Sequence, residues 1–345
     1  MKFVDISGFG HSGKGIITDT LKEFHGYQVP IHNFEFNLIR IQGGLIDLKF
    51  ALVDNWSPIR SDAAIRKFTK LINRIGPKAT LYSPKTLFYS NGMNYDSYFN
   101  GQFSKISKDY ISSLISATYL ADWPFHIIDE SPLNQFINRI KGVIRYPASM
   151  KKVFLSDPVE FNNKTNKYLN DLFDTVIQKG SSVIVTHNAF EPFNPSNGIN
   201  LFENAKQIIV QRDPRDIYAS LSIIKDAHIP KYEVDSNWKL KKNMLGKSVD
   251  LFINRQVQYY RNLNINNDND KVLRLRYEDI ILNYNKTLLK IYDFLQETPM
   301  VHKRKGEFFK PELSSKNIGL WKKFPNQTEI SKIENELKVY CYNEE

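Results

Sequence analysis

The sequence predicts an α/β fold, a three-layer sandwich around a P-loop-type parallel sheet with a largely helical insertion. Three observations predict it. The chain opens with a short strand pattern, a Gly-rich loop and a helical pattern in immediate succession, KFVDIS, GFGHSGKG and IITDTLKEFH. Three later runs, SSVIVTH (181–187), KQIIVQ (206–211) and KVLRLR (271–276), have the composition of buried parallel strands, and helix-like patterns follow them. Between residues 30 and 180 the pattern loosens over a length that no single crossover needs. That length predicts an insertion within one domain spanning 1–345.

Each element has its own signal. KFVDIS alternates and is bounded by glycine, and the apolar residues of KGIITDTLKEFH recur at helical spacing behind the loop. Inside the insertion the spacing predicts helices near 60–75, 104–120, 132–143 and 163–179, and insertions of this kind shape substrate pockets. NLNINNDNDK (262–271) reads as a polar surface turn. Tyr277, Glu278 and Asp279 read as the capping residues of a helix over 277–295.

Composition excludes several function classes. With 345 residues and 41% hydrophobic content, the chain can bury a large core without staples. The net charge of +10, from 47 Lys and Arg against 37 Asp and Glu, suits an anionic ligand. Those cations are dispersed rather than gathered in a tail, and neither zinc-finger spacing nor an RNA-binding aromatic signature occurs, so nucleic acid is not the expected partner. Cys341 is the only cysteine, which rules out an intrachain disulfide and a thiolate metal site. The seven histidines form no closely spaced ligand pair, so no metal is expected. MKFVDISG is too short for a signal peptide and no run of about 18 apolar residues occurs, so the expectation is a cytoplasmic protein without a transmembrane segment.

Three stretches can carry chemistry. In SGFGHSGKGI, residues Gly8, Gly13 and Lys14 satisfy G-x-x-x-x-G-K, with Gly10, His11 and Ser12 inside the loop. Gly15 stands where a Ser or Thr would hold Mg²⁺. The loop therefore reads as a phosphate cradle for a nucleotide that needs no metal there. In QIIVQRDPRDIYASLS (207–222), a strand ends at Arg212, Pro214 suits a first helical turn, and Ser220 follows on the helix. A guanidinium, a hydroxyl and helix N–H groups can share one phosphate. The plainer reading is a strand-to-helix turn with Asp213 capping and Arg212 and Arg215 facing solvent. In SSVIVTHNAF, Thr186 and His187 follow a strand at the edge where open α/β sheets bind ligands, so His187 can serve as a base or simply be a solvated loop histidine.

Together these stretches resemble the sulfotransferase family that uses 3'-phosphoadenosine 5'-phosphosulfate. GFGHSGKG is similar to its 5'-phosphosulfate loop, VTHNAF to its strand ending in Thr-His, and VQRDPRDIYASLS to its 3'-phosphate motif. LRLRYEDII (273–281) resembles its Arg/Tyr-Glu-Asp segment and SSKNIGLWKKF (314–324) its Gly-x-Trp-Lys segment. The resemblance covers residues 1–25 and 181–340, and its five motifs keep the family's order. The loop departs from the pattern, with His11 where the family has Arg or Lys, and Lys14 and Gly15 where it has two Thr.

The resemblance implies a donor, 3'-phosphoadenosine 5'-phosphosulfate, a product, adenosine 3',5'-bisphosphate, and no metal. It implies that Lys14 or His11, with the loop N–H groups, steadies the leaving phosphate, and that His187 takes the acceptor's proton. Arg212 and Ser220 would grip the 3'-phosphate, with Lys316 or Asn317 adding to the grip. The expected acceptor is a hydroxyl on a carbohydrate or glycan precursor. Two other readings stand beside it. A P-loop kinase or NTPase would use Lys14 and the Asp129 that, with Glu130, ends the apolar run in WPFHIIDES (123–131), and a non-catalytic protein would bind the nucleotide or anion without turnover. Glu35 and Glu130 are carboxylates that can replace His187 as base, although Glu35 between phenylalanines also fits the exposed side of a strand. Trp321 and Phe324 can stack on adenine or cover the core, and the core is the expectation.

Overall fold

The computed structural model describes residues 1–29, 35–78, 93–125, 132–143, 150–224, 249–264 and 270–343. In chain order its main elements are β1 (Lys2–Gly8), α1 (Gly15–Lys22), β2 (Tyr27–Gln28), α2 (Pro58–Ile75), α3 (Phe103–Leu114), β3 (Ile115–Ala121), α4 (Pro132–Val143), β4 (Lys151–Ser156) and α5 (Phe161–Asp174). There follow β5 (Val183–His187), β6 (Ala205–Gln211), α6 (Pro214–Ile224), α7 (Val249–Asn264), β7 (Val272–Arg276), α8 (Tyr277–Leu282), α9 (Tyr284–Leu295) and α10 (Gln327–Leu337). They form two compact units. The first is Met1–Phe36, Gln178–Asn200 and Asn204–Glu345, the second Asn37–Ile177 and Leu201–Glu203.

The first unit holds a five-stranded parallel sheet in the order β2-β5-β1-β6-β7. Alternation sends neighbouring residues to opposite faces. Val4, Ile6, Val185, Ile208 and Val210 pack with Ile17 and Leu21 of α1 and with Ile280, Ile281 and Ile291 of α8 and α9. On the other face Ile209 packs with Phe9 and with Tyr260 and Leu263 of α7. Helices thus cover both faces, the three-layer arrangement of an α/β fold. Ile17 and Leu21 have no exposed surface, and burying each contributes about 1.5–3 kcal/mol toward holding α1 behind the loop.

The second unit is mostly helical and also contains a two-stranded antiparallel sheet, β3 with β4. The helix expected over 104–120 ends at Leu114. ISATYLA, with Ile, Thr and Tyr, goes into β3, where Thr118 and Tyr119 lie opposite Phe154 and Val153. The helix expected over 163–179 runs over 161–174. In the first unit the helix expected over 277–295 is two helices, because Asn283 (φ −118°, ψ 40°) leaves the helical region between them. After β5 comes only a five-residue helix, Pro195–Ile199, instead of a full crossover helix.

Candidate functional site

The loop after β1 is shaped by contacts that only small residues permit. A Cβ on Gly8 would lie 2.4 Å from Ser12 Oγ and 2.5 Å from the Val210 carbonyl oxygen. Gly13 has φ +78°, and a Cβ there would lie 2.3 Å from the ring of Tyr277. His11 also takes a left-handed φ of 63°. Ser12 is fully buried, and its Oγ has no hydrogen-bond partner among the described residues. Lys14 is the N-cap of α1 and half-buried, while Gly10 and Gly15 are exposed. A Cβ on Gly15 would meet nothing within 4 Å. Packing therefore does not exclude a Ser or Thr at 15; the metal-binding hydroxyl is absent for another reason. A buried hydroxyl without a partner, a helix N-terminus and a lysine at its cap form a place for an anion.

Arg212, at the end of β6, is 5% exposed and does not face solvent. Its guanidinium donates to the carbonyl oxygens of His11 (3.2 Å) and Asn317 (2.5 Å) and lies 4.6 Å over the ring of Tyr277. Its Nε is buried without a partner among the described residues. Arg215 is equally buried and is bound by Asp213 at 2.6 Å and Glu334 at 2.7 Å, with its guanidinium 4.1 Å from the Trp321 ring centre. Asp213 accepts from the Arg215 amide, and its own amide donates to Glu278 at 2.7 Å. Asp216 accepts from the amides of Gly319 and Trp321, and burial raises its pKa above the usual carboxylate value. The segment 212–216 is therefore a buried scaffold for the chain around 314–324; of the plainer reading, Asp213 does cap the helix, but the two arginines do not face solvent. Trp321 and Phe324 pack against the core formed by α6, α7 and α10.

His187 ends β5, where it stands opposite Ile6 of β1 and bridges to Glu35. Its side chain is 25% exposed, and Nδ1 lies 3.9 Å from a Glu35 carboxylate oxygen, which also accepts from Asn188. Glu35 is thus beside the imidazole rather than alone on a strand face. Asp129 and Glu130 lie outside the described residues.

β5, β1 and β6 are adjacent and parallel, so His187, the Gly8–Lys14 loop and Arg212 all emerge at one edge of the sheet. Neighbouring strands are about 4.8 Å apart, which puts His187 and Arg212 on strands about 10 Å apart across the loop. Asn317 joins this group through its carbonyl and through a side-chain hydrogen bond to Tyr277. Lys316, its neighbour, is exposed. Ser220 is buried on α6, six residues beyond Pro214 and about 9 Å along the helix, and no hydrogen bond joins it to Arg212 or the loop. Sequence reasoning missed Tyr277, which packs on both Gly13 and Arg212. The sequence reads it only as a helix-capping residue and as part of LRLRYEDII, the segment that resembles the family's Arg/Tyr-Glu-Asp motif.

The second unit has its own cleft of about 380 Å³. Phe50, Ile59, Trp123 and Phe125 give it apolar walls, and Asp47 and Lys67 are among its polar lining residues.

Residues 155–300 match a family model described as the sulfotransferase family. A search of curated proteins gave no match. Similar solved structures include the sulfotransferase domain of the Synechococcus PCC 7002 olefin synthase, at 12% identity over 100% of this chain and 95% of that one, TM-score 0.40. Sulfotransferase STF9 from Mycobacterium avium is 12% identical over 99% and 77%, TM-score 0.36. Retinol dehydratase, solved with androsterone and the inactive cofactor PAP, is 13% identical over 99% and 81%, TM-score 0.31. These likenesses are too distant to carry a substrate or a residue's role.

Proposed function

We propose that this chain, whose residues 155–300 match a sulfotransferase family model, is a sulfotransferase that moves a sulfuryl group from 3'-phosphoadenosine 5'-phosphosulfate to an acceptor hydroxyl. The observation that carries the reading is the convergence of the Gly loop, His187 and Arg212 at the ends of three adjacent parallel strands. The residues present fit such a donor. Ser12 Oγ and Arg212 Nε are buried polar groups without described partners, and an anion would satisfy both. The donor supplies an activated sulfuryl group; the chain supplies position and charge.

Sulfuryl transfer, like phosphoryl transfer, needs chiefly alignment and neutralisation of the departing oxygen. Lys14 at the start of α1 holds the 5'-phosphate, with the loop N–H groups and Ser12 beside it, and His11 is the alternative cation. Arg212, with Asn317 and Lys316 nearby, holds the 3'-phosphate, and Ser220 joins that grip only if α6 or the bound phosphate closes the gap. No metal takes part. His187, as the neutral imidazole, accepts the acceptor's proton as the new S–O bond forms, and Glu35 beside it stabilises the imidazolium.

The acceptor is a carbohydrate or glycan precursor. What supports this is the cleft of the second unit, whose lining combines the aromatic Trp123 and Phe125 with Asp47 and Lys67, a mixture suited to sugar rings and hydroxyls. A cytoplasmic location fits the single half-buried Cys341, and no described helix is long and apolar enough to cross a membrane. The whole chain acts as one catalytic domain. Replacing His187 by Ala should lower kcat about 10²- to 10⁴-fold while leaving adenosine 3',5'-bisphosphate binding nearly unchanged. Turnover is followed as labelled sulfate transferred to an acceptor. Near-normal kcat in His187→Ala, with loss in Glu35→Gln, would move the base to the carboxylate.

A further inference from the structure

Behind His187, in the middle of β1, lies a carboxylate with no exposed surface, Asp5. Four donors converge on it: the hydroxyls of Ser7 and Thr186, the latter at 2.9 Å, and the amides of Ala189 at 2.8 Å and Phe190 at 3.2 Å. The Ser7 oxygen in turn accepts from Gln207 Nε2 at 2.7 Å, so the cluster reaches across β1 to β6. An ionised carboxylate only accepts, and it is the one side-chain form able to serve all four donors at once. Burial holds the Asp5 pKa above the usual carboxylate value, and the hydrogen bonds from Ser7, Ala189, Thr186 and Phe190 offset part of that push. Each donor removed leaves the buried charge harder to keep.

The donors sit on both sides of one residue pair. Thr186 precedes His187, and Ala189 and Phe190 follow Asn188, which takes a left-handed φ of 50° and donates its amide to the Ile6 carbonyl at 3.0 Å. His187 and Asn188 therefore form a two-residue arch with both feet tied to a single carboxylate. β5 ends at His187, and Asp5 accepts from the two amides that follow Asn188. Glu35 also meets the arch, through a backbone bridge to His187 and through its carboxylate, which accepts from Asn188.

We infer that Asp5 is the positioning residue of this site, a buried clamp that fixes the backbone arch carrying His187 and thereby the direction of its imidazole. The inference rests on the reading of His187 as the base for its catalytic consequence, but its structural content does not depend on that reading. Asp5 touches no substrate; it acts through the arch.

The test is Asp5→Asn in the full chain, which keeps shape and volume but replaces one acceptor oxygen by a donor. Three measurements are made: kcat, the dissociation constant of adenosine 3',5'-bisphosphate, and the imidazole proton and carbon resonances of His187, assigned by their loss in His187→Asn. The clamp predicts a kcat lowered about 10- to 100-fold, nucleotide binding within about twofold of the parent, and a His187 resonance that moves and changes its pH midpoint while that of His25 does not. If Asp5→Asn does not fold, Thr186→Val removes one of the four donors and is read the same way, with a smaller shift in the same resonance. A His187 resonance and titration superimposable on the parent in the folded variant overturns the inference. A moved resonance with unchanged kcat, in a protein whose His187→Ala is also fully active, upholds the clamp and rejects His187 as the base.

Discussion

Gly13 and Gly15 stand two residues apart in one loop, and their surroundings make opposite demands. Gly13→Ala must place a methyl against Tyr277 at a φ of +78°, so both the ring and the backbone resist it. It should destabilise the protein by about 1–3 kcal/mol and lower donor affinity, read as a fall in Tm and a weaker calorimetric Kd. Gly15→Ala meets nothing and lies at the first residue of α1, where Ala is the better helix former by up to about 1 kcal/mol, so Tm should hold or rise. Equal losses in the two variants would contradict this account of the loop. Ser12 offers a second contrast. Its buried hydroxyl has no described partner, so Ser12→Ala should leave the free protein as stable or more stable while weakening nucleotide binding about 5- to 100-fold. A Tm lowered by several degrees without change in binding would mean that the hydroxyl serves the fold alone. The sequence made the loop legible because glycine spacing is local. It could not show that Tyr277 fills the space over Gly13, because that ring arrives from 264 residues away, or that Arg212 spends its fork on two carbonyls.

At the scale of elements, β1, β5, β6 and β7 were legible because each is a short apolar run bounded by polar or Gly residues. β2 is two residues long and has no pattern to read. β3 was mistaken for the continuation of a helix because its pairing with β4, about 35 residues later, decides its conformation. The far end of α1 shows how such distant contacts hold the site. Glu23, fully buried, is 2.5 Å from His302 Nε2 and accepts from the amides of Phe308 and Phe309, each at 2.8 Å. Burial alone would raise its pKa, but the bonds from His302, Phe309 and Phe308 outweigh it and hold the carboxyl below its ordinary value of 4.5. A lowered carboxylate contributes stability that is complete above the unfolded value and is lost as pH falls through the folded one. Acidification below about pH 4.5 should therefore weaken this strap in the parent. Glu23→Gln should already be destabilised at pH 7 and should lose less further stability between pH 6 and 3, measured by urea midpoints. Parallel curves for the two proteins would remove Glu23 from the acid response.

For the molecule as a whole, the net charge of +10 favours any anion and cannot by itself choose between donors. The choice lies in what surrounds the loop. A nucleoside triphosphate with Mg²⁺ asks for a hydroxyl at position 15, where Gly15 offers none, and has no phosphate on its ribose 3'-hydroxyl. Adenosine 3',5'-bisphosphate carries that phosphate, for which Arg212 stands across the loop from His187. Titration calorimetry of the full chain with each nucleotide in turn is the most direct measurement. The sulfotransferase reading predicts that adenosine 3',5'-bisphosphate binds without Mg²⁺, at least about tenfold more tightly than ATP with Mg²⁺, and that Arg212→Ala removes most of that preference. ATP with Mg²⁺ binding more tightly than the bisphosphate, with Arg212→Ala indifferent to the 3'-phosphate, would contradict it.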